Sequence, residues 1–149
     1  MSGAEVLDDV GQHLSGAGSF DRAAVPLGMY VAFLAQHGLL SEALQDRAGT
    51  LVTRVRYREI TGSELLIAGC GGELRADHLS AEGRAFSGAF LGDFLDVFRD
   101  TFGADVYAVP DDWDHYDRLA PRLAAALMAF RGGSRAAADD GRPWWKFWR

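Results

Sequence analysis

The chain is poor in cysteine, in long apolar runs and in the signals that direct a protein out of the cell. Its 149 residues include a single cysteine, Cys70, which excludes an internal disulfide and a metal site built from several thiolates. No stretch approaches the roughly 18 consecutive apolar residues of a membrane-spanning helix. Residues 1–10 are acidic and lack the basic start and apolar run of a secretory signal. These features predict a cytoplasmic protein.

Positive charge is scarce and unevenly placed. The formal net charge is −6, with 15 Lys and Arg against 21 Asp and Glu. Residues 142–149 hold three positive charges and no acid, so the rest of the chain has a net charge of −9. Because nucleic-acid binding depends on neutralising phosphates, we expect no nucleic-acid partner for this acidic body. Its charge is compatible with a basic protein partner, or simply with solubility.

Five phenylalanines follow one another at intervals of four residues. Because each such step advances by about 40° around a helix, the row turns through roughly 160° from first to last. We therefore predict one central helix over residues 81–102 that packs on two sides. Packing is the expected role of an aromatic row at helical spacing, and a ligand pocket lined by phenylalanines is the alternative. The five residues are Phe86, Phe90, Phe94, Phe98 and Phe102.

Hydrophobic periodicity and capping residues predict a mainly α fold: a single compact helical domain of about five helices with minor extended segments and a flexible C-terminal tail. Ser41 and Asp111 are suited to N-caps, and Gly38 is suited to a left-handed C-cap. Short extended segments are expected around Leu74 and over residues 105–109. The predicted helices span residues 21–37, 42–60, 63–68, 81–102 and 112–131.

The ends of the chain differ from its middle in composition. Residues 1–20 are weakly patterned, which predicts a loose N-terminal arm with at most a short helix. Residues 21–131 are expected to form the helical domain. Two glycines at 132 and 133 are expected to end the last helix, and residues 132–141 have the composition of a flexible linker. A tail of residues 142–149 follows.

The tail, residues 142–149, is the feature that folding explains least. It concentrates tryptophan and positive charge, and such a segment is costly to leave in water unless it docks. Docking into a pocket of a protein partner is the favoured prediction, because Trp and Arg commonly anchor such contacts. The acidic body of the same chain is the second destination, and peripheral contact with a membrane surface is the third. The predicted partner-binding residues are Trp144, Trp145, Lys146, Phe147, Trp148 and Arg149.

Two groups of residues invite a chemical interpretation, and for each a structural interpretation is favoured. Cys70 lies in a glycine-rich turn, but nothing in the sequence places a histidine beside it as a base, so a buried cysteine is expected. Residues 111–117 hold four aspartates and His115, without the spacing of a calcium loop or of a zinc-binding histidine pair. These acids are expected to lie at the N-terminus of a helix, where the positive end of the helix dipole stabilises negative charge. We therefore predict no catalytic, metal or cofactor-binding residue.

Scattered short matches between residues 25 and 131 carry a resemblance. They are Gly28-Met29-Tyr30, His37-Gly38-Leu39, Thr61-Gly62-Ser63-Glu64, Cys70-Gly71-Gly72, Glu82-Gly83 and Trp113-Asp114-His115. With these motifs the chain resembles a family of small uncharacterised bacterial domains, a domain of unknown function. The family pattern has aspartate where this chain has Gly71, and tyrosines where it has Phe90 and Phe94. The resemblance implies a bacterial, cytosolic single domain and no particular activity, so it assigns no catalytic residue.

These observations lead to two hypotheses of function. The first is a non-enzymatic bacterial protein-interaction protein, of an accessory or immunity type, with an acidic body and a Trp-rich C-terminal docking peptide. The second is a small enzyme or ligand-binding domain with a pocket beside the Phe86–Phe102 helix. A deep pocket that holds Cys70 or His115 together with a second polar group would favour the second hypothesis.

Overall fold

The computed structural model of the protein describes residues 5–137, and the structural statements below concern those residues. Within them, seven α-helices and a two-stranded antiparallel sheet form one compact, mainly α unit, as predicted. Short 3-10 turns lie at Ala76–His78, Leu91–Asp93 and Val106–Ala108. The elements are β1 (Val6–Asp9), α1 (Val10–Ala17), α2 (Phe20–Gln36), α3 (Glu42–Arg56), α4 (Gly62–Cys70), β2 (Glu73–Arg75), α5 (Ala81–Phe90), α6 (Phe94–Phe102) and α7 (Trp113–Ala137).

The centre of the fold is α2 rather than the phenylalanine segment. All thirteen residues from Ala23 to Ala35 are buried, and none of them is charged. A helix that is apolar on every side is stable only when neighbours surround it, and α1, α3, α4 and α7 all contact α2. The prediction that residues 81–102 form the central helix is therefore wrong.

The phenylalanine row is divided between two helices. α5 ends at Phe90, the 3-10 turn Leu91–Asp93 follows, and α6 begins at Phe94. Gly92 lies in this turn, where it weakens helical continuity, because glycine in a helix interior costs roughly 0.5–1 kcal/mol relative to alanine. The prediction of one continuous helix is wrong in this respect, and together with α1 the break raises the helix number from about five to seven.

The expected packing role of the phenylalanines is confirmed. The first four of the row are at most 3% exposed. The ring centroid of Tyr30, in α2, lies 5.1 Å from that of Phe94 and 6.4 Å from those of Phe86 and Phe90. These side chains form an aromatic layer between α2 and the α5–α6 pair, so the row serves the core.

A close crossing of α2 and α4 depends on two glycines. An added Cβ at Gly62 would overlap the carbonyl oxygen of Gly28 and lie 2.8 Å from the Cβ of Ala32. An added Cβ at Gly28 would lie 2.6 Å from the backbone nitrogen of Ser63. Both distances are too short for non-bonded carbon, so each helix approaches the other through the space that a side chain would fill.

The predicted loose arm, residues 1–20, is wrong for residues 5–20. β1 pairs antiparallel with β2, and the backbone nitrogen of Val10 donates to the carbonyl oxygen of Gly72 over 2.9 Å. Val10 itself is fully buried. β1 is only four residues long, so the sequence shows little periodicity there. Its partner strand lies more than 60 residues further along the chain, so the pairing has no local signal either.

Local predictions of caps and of one extended segment are confirmed. The backbone nitrogen of Leu44 donates to Ser41 Oγ over 3.1 Å, so Ser41 is the N-cap of α3. Gly38 follows the end of α2 with a φ of +69°, a left-handed conformation that glycine adopts at little cost. Leu74 lies in β2. Each of these features is decided by contacts within a few residues, except for the pairing of the strand.

Two predicted elements between the helices are wrong in extent or type. α3 ends at Arg56 rather than near residue 60, and Arg58 adopts a left-handed φ of +62°. The segment 105–109, predicted as extended, contains the 3-10 turn Val106–Ala108 instead. No strand of the described residues lies beside it for pairing, and β propensity alone is a weak determinant.

The last helix differs from its prediction at both ends. Asp112, rather than Asp111, caps α7, because its Oδ1 accepts the backbone N–H of His115 over 2.8 Å. α7 then continues through both glycines to Ala137, so the predicted end at residue 131 and the predicted start of the linker at 132 are wrong. Residues 138–141 of that linker and the tail lie outside the described residues.

Candidate functional site

A pocket of about 450 Å³ opens between the first turns of α2 and α4 and the segment that leads into α7. This volume falls within the range of small-ligand sites, about 300–1,000 Å³. We call it the acidic pocket. It is lined by Asp21, Arg22, Val25, Ser63, Glu64, Ile67 and residues 107–111.

The acidic pocket combines apolar walls with a negative rim. Val25, Ile67 and residues 108–110 supply apolar surface, while Asp21, Glu64 and Asp111 supply carboxylates against the single guanidinium of Arg22. Asp21 and Glu64 stand in the first turns of their helices, where the helix dipole favours acids. The arrangement suits a group with an apolar body and a positive end.

Asp111 is held at the wall of the acidic pocket by the cap of α4. The hydroxyl of Thr61 donates to Asp111 Oδ2 over 3.0 Å, and the same oxygen of Thr61 accepts the backbone N–H of Glu64. Partial burial raises the pKa of the Asp111 carboxyl, and the hydrogen bond from Thr61 opposes that rise by favouring the charged form. The Asp111 carboxylate is thus positioned by residues that are 50 positions away along the chain.

Arg58 fixes the start of α7, and with it the segment that carries Asp111. Its guanidinium donates two hydrogen bonds to Asp117, over 2.9 Å and 2.7 Å. The guanidinium carbon also lies 4.8 Å from the centroid of the Trp113 ring. The hydrogen bonds from Arg58 hold the pKa of Asp117 below its ordinary value. Trp113 and Tyr116 therefore anchor the helix start, since Arg58 lies over both rings.

Arg58→Gln is expected to destabilise the protein by about 1–2 kcal/mol, since it removes a bidentate ion pair and a cation–π contact. Arg54→Gln provides a matched control at the same end of α3, because Arg54 makes only an exposed contact of 3.4 Å with Glu59. Urea unfolding followed by circular dichroism measures both. Equal effects of the two substitutions would contradict the anchoring role of Arg58.

A chain of hydrogen bonds borders the acidic pocket on the N-terminal side. His13 Nδ1 lies 2.6 Å from the hydroxyl oxygen of Tyr107, and His13 Nε2 lies 3.0 Å and 3.1 Å from the two carboxylate oxygens of Asp8. Partial burial and the charge of Asp8 raise the pKa of Tyr107, so its phenol stays protonated at neutral pH. The chain ties β1 and α1 to the wall of the pocket.

The sequence offered no signal for this chain of hydrogen bonds. Asp8 and His13 fall in the segment predicted as a loose arm, and Tyr107 follows 94 residues after His13. Contacts at that separation depend on the whole fold rather than on local pattern.

Cys70 is buried, as expected, and lies outside the acidic pocket. Its side chain is 5% exposed, and burial raises the pKa of the thiol to about 11, so the nucleophilic thiolate is rare at neutral pH. His78 is also buried, and its Nδ1 accepts the backbone N–H of Arg75 over 3.0 Å. Within the described part of the chain, no hydrogen bond joins Cys70 to a histidine.

Three of the four aspartates in residues 111–117 have separate hydrogen-bond partners and do not form one cluster. Asp111 contacts Thr61, Asp112 caps α7 and accepts from His115, and Asp117 pairs with Arg58. Among the described residues, no group of three or more His, Cys, Asp and Glu is arranged to hold a metal ion.

The second hypothesis required a pocket beside the phenylalanine helix. A depression of about 230 Å³ does lie at the end of α6, where Phe102, His115 and Arg118 contribute to its lining. The guanidinium of Arg118 covers the Phe102 ring at 5.0 Å from its centroid. The first four phenylalanines of the row are enclosed in the core, so this depression, smaller than the acidic pocket, is the opening that the end of the row contributes to.

The residues predicted to bind a partner, from Trp144 to Arg149, lie outside the described residues. None of the described helices has the length and apolar character that a membrane span requires.

Three comparisons with known proteins bear on the identity of the chain. Neither the curated proteins nor the solved structures contained a match. Among protein families, residues 6–111 match a domain of unknown function, DUF7832. The match begins at β1 and ends at Asp111, so it includes the N-terminal elements and all the lining of the acidic pocket. The match covers more than two thirds of the chain, and the protein therefore belongs to the DUF7832 family of domains of unknown function.

Proposed function

We propose that the protein is a non-enzymatic interaction protein, of the accessory or immunity type, that binds a basic segment of a protein partner in the acidic pocket. The observation that carries the proposal is a pocket of about 450 Å³ in which three carboxylates line the surface together with apolar side chains. An arginine or lysine side chain has the matching chemistry, since its alkyl stem is apolar and its end is charged. A cytoplasmic location is part of the proposal.

The charge of the whole body supports the same partner. Residues 5–137 hold 19 Asp and Glu against 12 Arg, a net charge of −7 with neutral histidine. Such a field attracts a basic partner and raises its association rate, while the pocket selects the bound side chain. A partner's basic segment would therefore be drawn by the body and oriented by Asp21, Glu64 and Asp111.

A short peptide of alternating arginine and tryptophan, capped at both ends, is a direct probe of the proposal. We expect the full-length protein to bind it, and we expect Glu64→Gln/Asp111→Asn to weaken binding about tenfold, because two charge pairs are lost. Asparagine at position 111 keeps an acceptor for Thr61, so the fold is retained. Isothermal titration calorimetry at low and raised salt measures the affinities.

The control variant is Glu42→Gln/Asp46→Asn, which removes the same charge from the exposed face of α3, away from the acidic pocket. It is expected to change the affinity less than twofold, roughly the effect of weak long-range charge. An equal loss in both variants would mean that net charge alone binds the peptide. A peptide in which glutamate replaces arginine should not bind.

A further inference from the structure

We propose that the segment bound in the acidic pocket is the tail, residues 142–149, of a second copy of this chain. The inference rests on the proposed function and names its partner. Two observations lead to it: the chemistry of the tail matches the pocket, and α7 ends far from the first turns of α2 and α4, which limits how the tail can reach the pocket of its own chain.

The tail and the acidic pocket are complementary in charge and in apolar surface. The lining of the acidic pocket carries three carboxylates and one guanidinium, a net charge of −2. The tail carries three positive charges and no acid. Its three tryptophans offer flat apolar surface for the walls formed by Val25, Ile67 and residues 108–110. Tryptophan and arginine are the side chains that most often dominate binding energy at protein interfaces.

The described end of α7 lies away from this pocket. α7 begins at Trp113, two residues after Asp111, and continues for 25 residues. At about 1.5 Å per residue, its far end lies roughly 36 Å along the helix from its start. Arg131 pairs with Glu82 and Phe130 contacts Phe86, so the second half of α7 packs on α5, remote from the first turns of α2 and α4.

The length of chain after α7 limits what the tail can reach. An extended chain spans at most about 3.6 Å per residue, so Trp144 and Trp145 lie no more than roughly 29 Å from Ala137. This span is shorter than the roughly 36 Å length of α7, so only a nearly extended chain after Ala137 would bring Trp148 back to the acidic pocket of its own chain. Docking in the pocket of the same chain is therefore unfavourable, because a nearly extended segment retains little conformational freedom, whereas a second copy presents its pocket without this limit.

Pocket and tail are different surfaces, so each copy can give its tail to the other. Two copies that exchange tails reciprocally about a two-fold axis make an isologous interface and close into a dimer, in which each acidic pocket is filled by the tail of the other copy. The arrangement would bury the tryptophans of the tail and neutralise part of the acidic pocket.

Mixing two full-length variants tests the proposal. The pocket variant is Glu64→Gln/Asp111→Asn, and the tail variant is Trp144→Ala/Trp145→Ala/Trp148→Ala. We expect the wild-type protein to self-associate in sedimentation velocity, and each variant alone to associate at least about tenfold more weakly. The equimolar mixture should form a one-to-one pair, because the intact pocket of the tail variant receives the intact tail of the pocket variant. Glu42→Gln/Asp46→Asn should associate like the wild type.

Three results would overturn the inference: a wild-type protein that stays monomeric at all concentrations, a pocket variant that associates as strongly as the wild type, or a mixture that does not pair. Titration with the arginine–tryptophan peptide separates these failures from failure of the proposed function. If that peptide binds the acidic pocket while the wild-type protein stays monomeric, the pocket serves another protein and only the inference is wrong. Binding of the monomeric wild type, but not of the tail variant, to vesicles of phosphatidylcholine and phosphatidylglycerol would assign the tail to a membrane surface instead.

Discussion

Gly62→Ala is expected to destabilise the protein by at least about 4 kcal/mol, enough to leave most small domains largely unfolded. The new Cβ would overlap the carbonyl oxygen of Gly28 and stand 2.8 Å from the carbonyl carbon of the same residue. These obstacles are backbone atoms, so no change of side-chain rotamer relieves them. α2 and α4 would have to separate along the most extensive helix contact of the described residues.

Gly88→Ala is the matched control for that substitution. Gly88 lies in α5, and an added Cβ there meets nothing within 4 Å. Alanine should stabilise the helix by about 0.5–1 kcal/mol. Urea unfolding followed by circular dichroism compares the two variants, with yield of folded protein as a second readout. A Gly62→Ala protein within about 1 kcal/mol of wild type would show that the crossing of α2 and α4 can relax.

Phe90→Ala is expected to cost about 3–5 kcal/mol, the usual loss for a large buried aromatic. Phe90 is fully buried, and its ring centroid lies 5.3 Å from that of Phe86, 6.3 Å from that of Phe94 and 6.4 Å from that of Tyr30. Truncation would leave a cavity between α2 and the break of α5 and α6. Chemical unfolding measures the loss, and Phe90→Leu should recover much of it.

Tyr57→Ala serves as the control for aromatic truncation, since Tyr57 is 74% exposed. Its expected effect is below about 1 kcal/mol, as for most exposed positions. The same experiment separates the two roles considered for the phenylalanine row. If the row is core, Phe90→Leu should bind the arginine–tryptophan peptide as the wild type does. A loss of binding without a loss of stability would instead place a ligand site beside the row.

Part of the fold could be predicted because its causes are local. Ser41 caps α3 through a hydrogen bond to a backbone N–H three residues later, and Gly38 ends α2 through its own backbone freedom. The thirteen central residues of α2 contain no charge, but the prediction placed the centre of the fold at residues 81–102 instead.

Other elements differ from their predictions because local preferences are weak and tertiary contacts outweigh them. A glycine costs a helix only about 1 kcal/mol, so the glycines at 132 and 133 did not end α7, whereas Gly92 coincides with the break between α5 and α6. The segment 105–109 has β-branched residues but no neighbouring strand to pair with among the described residues. Its 3-10 turn instead brings Tyr107 to His13.

The candidate site shows most clearly what could not be predicted from the sequence. The sequence by itself determined the helical class, most helix positions and the acidic character of the body. It also placed Asp21, Glu64 and Asp111 near helix starts. These features depend on composition and on contacts within a turn or two. Only the tertiary structure decided that these three carboxylates line one pocket, that Gly28 and Gly62 meet, and that the second half of α7 packs on α5. Those facts depend on contacts between segments distant along the chain, and such contacts arise only once all the apolar faces are buried together.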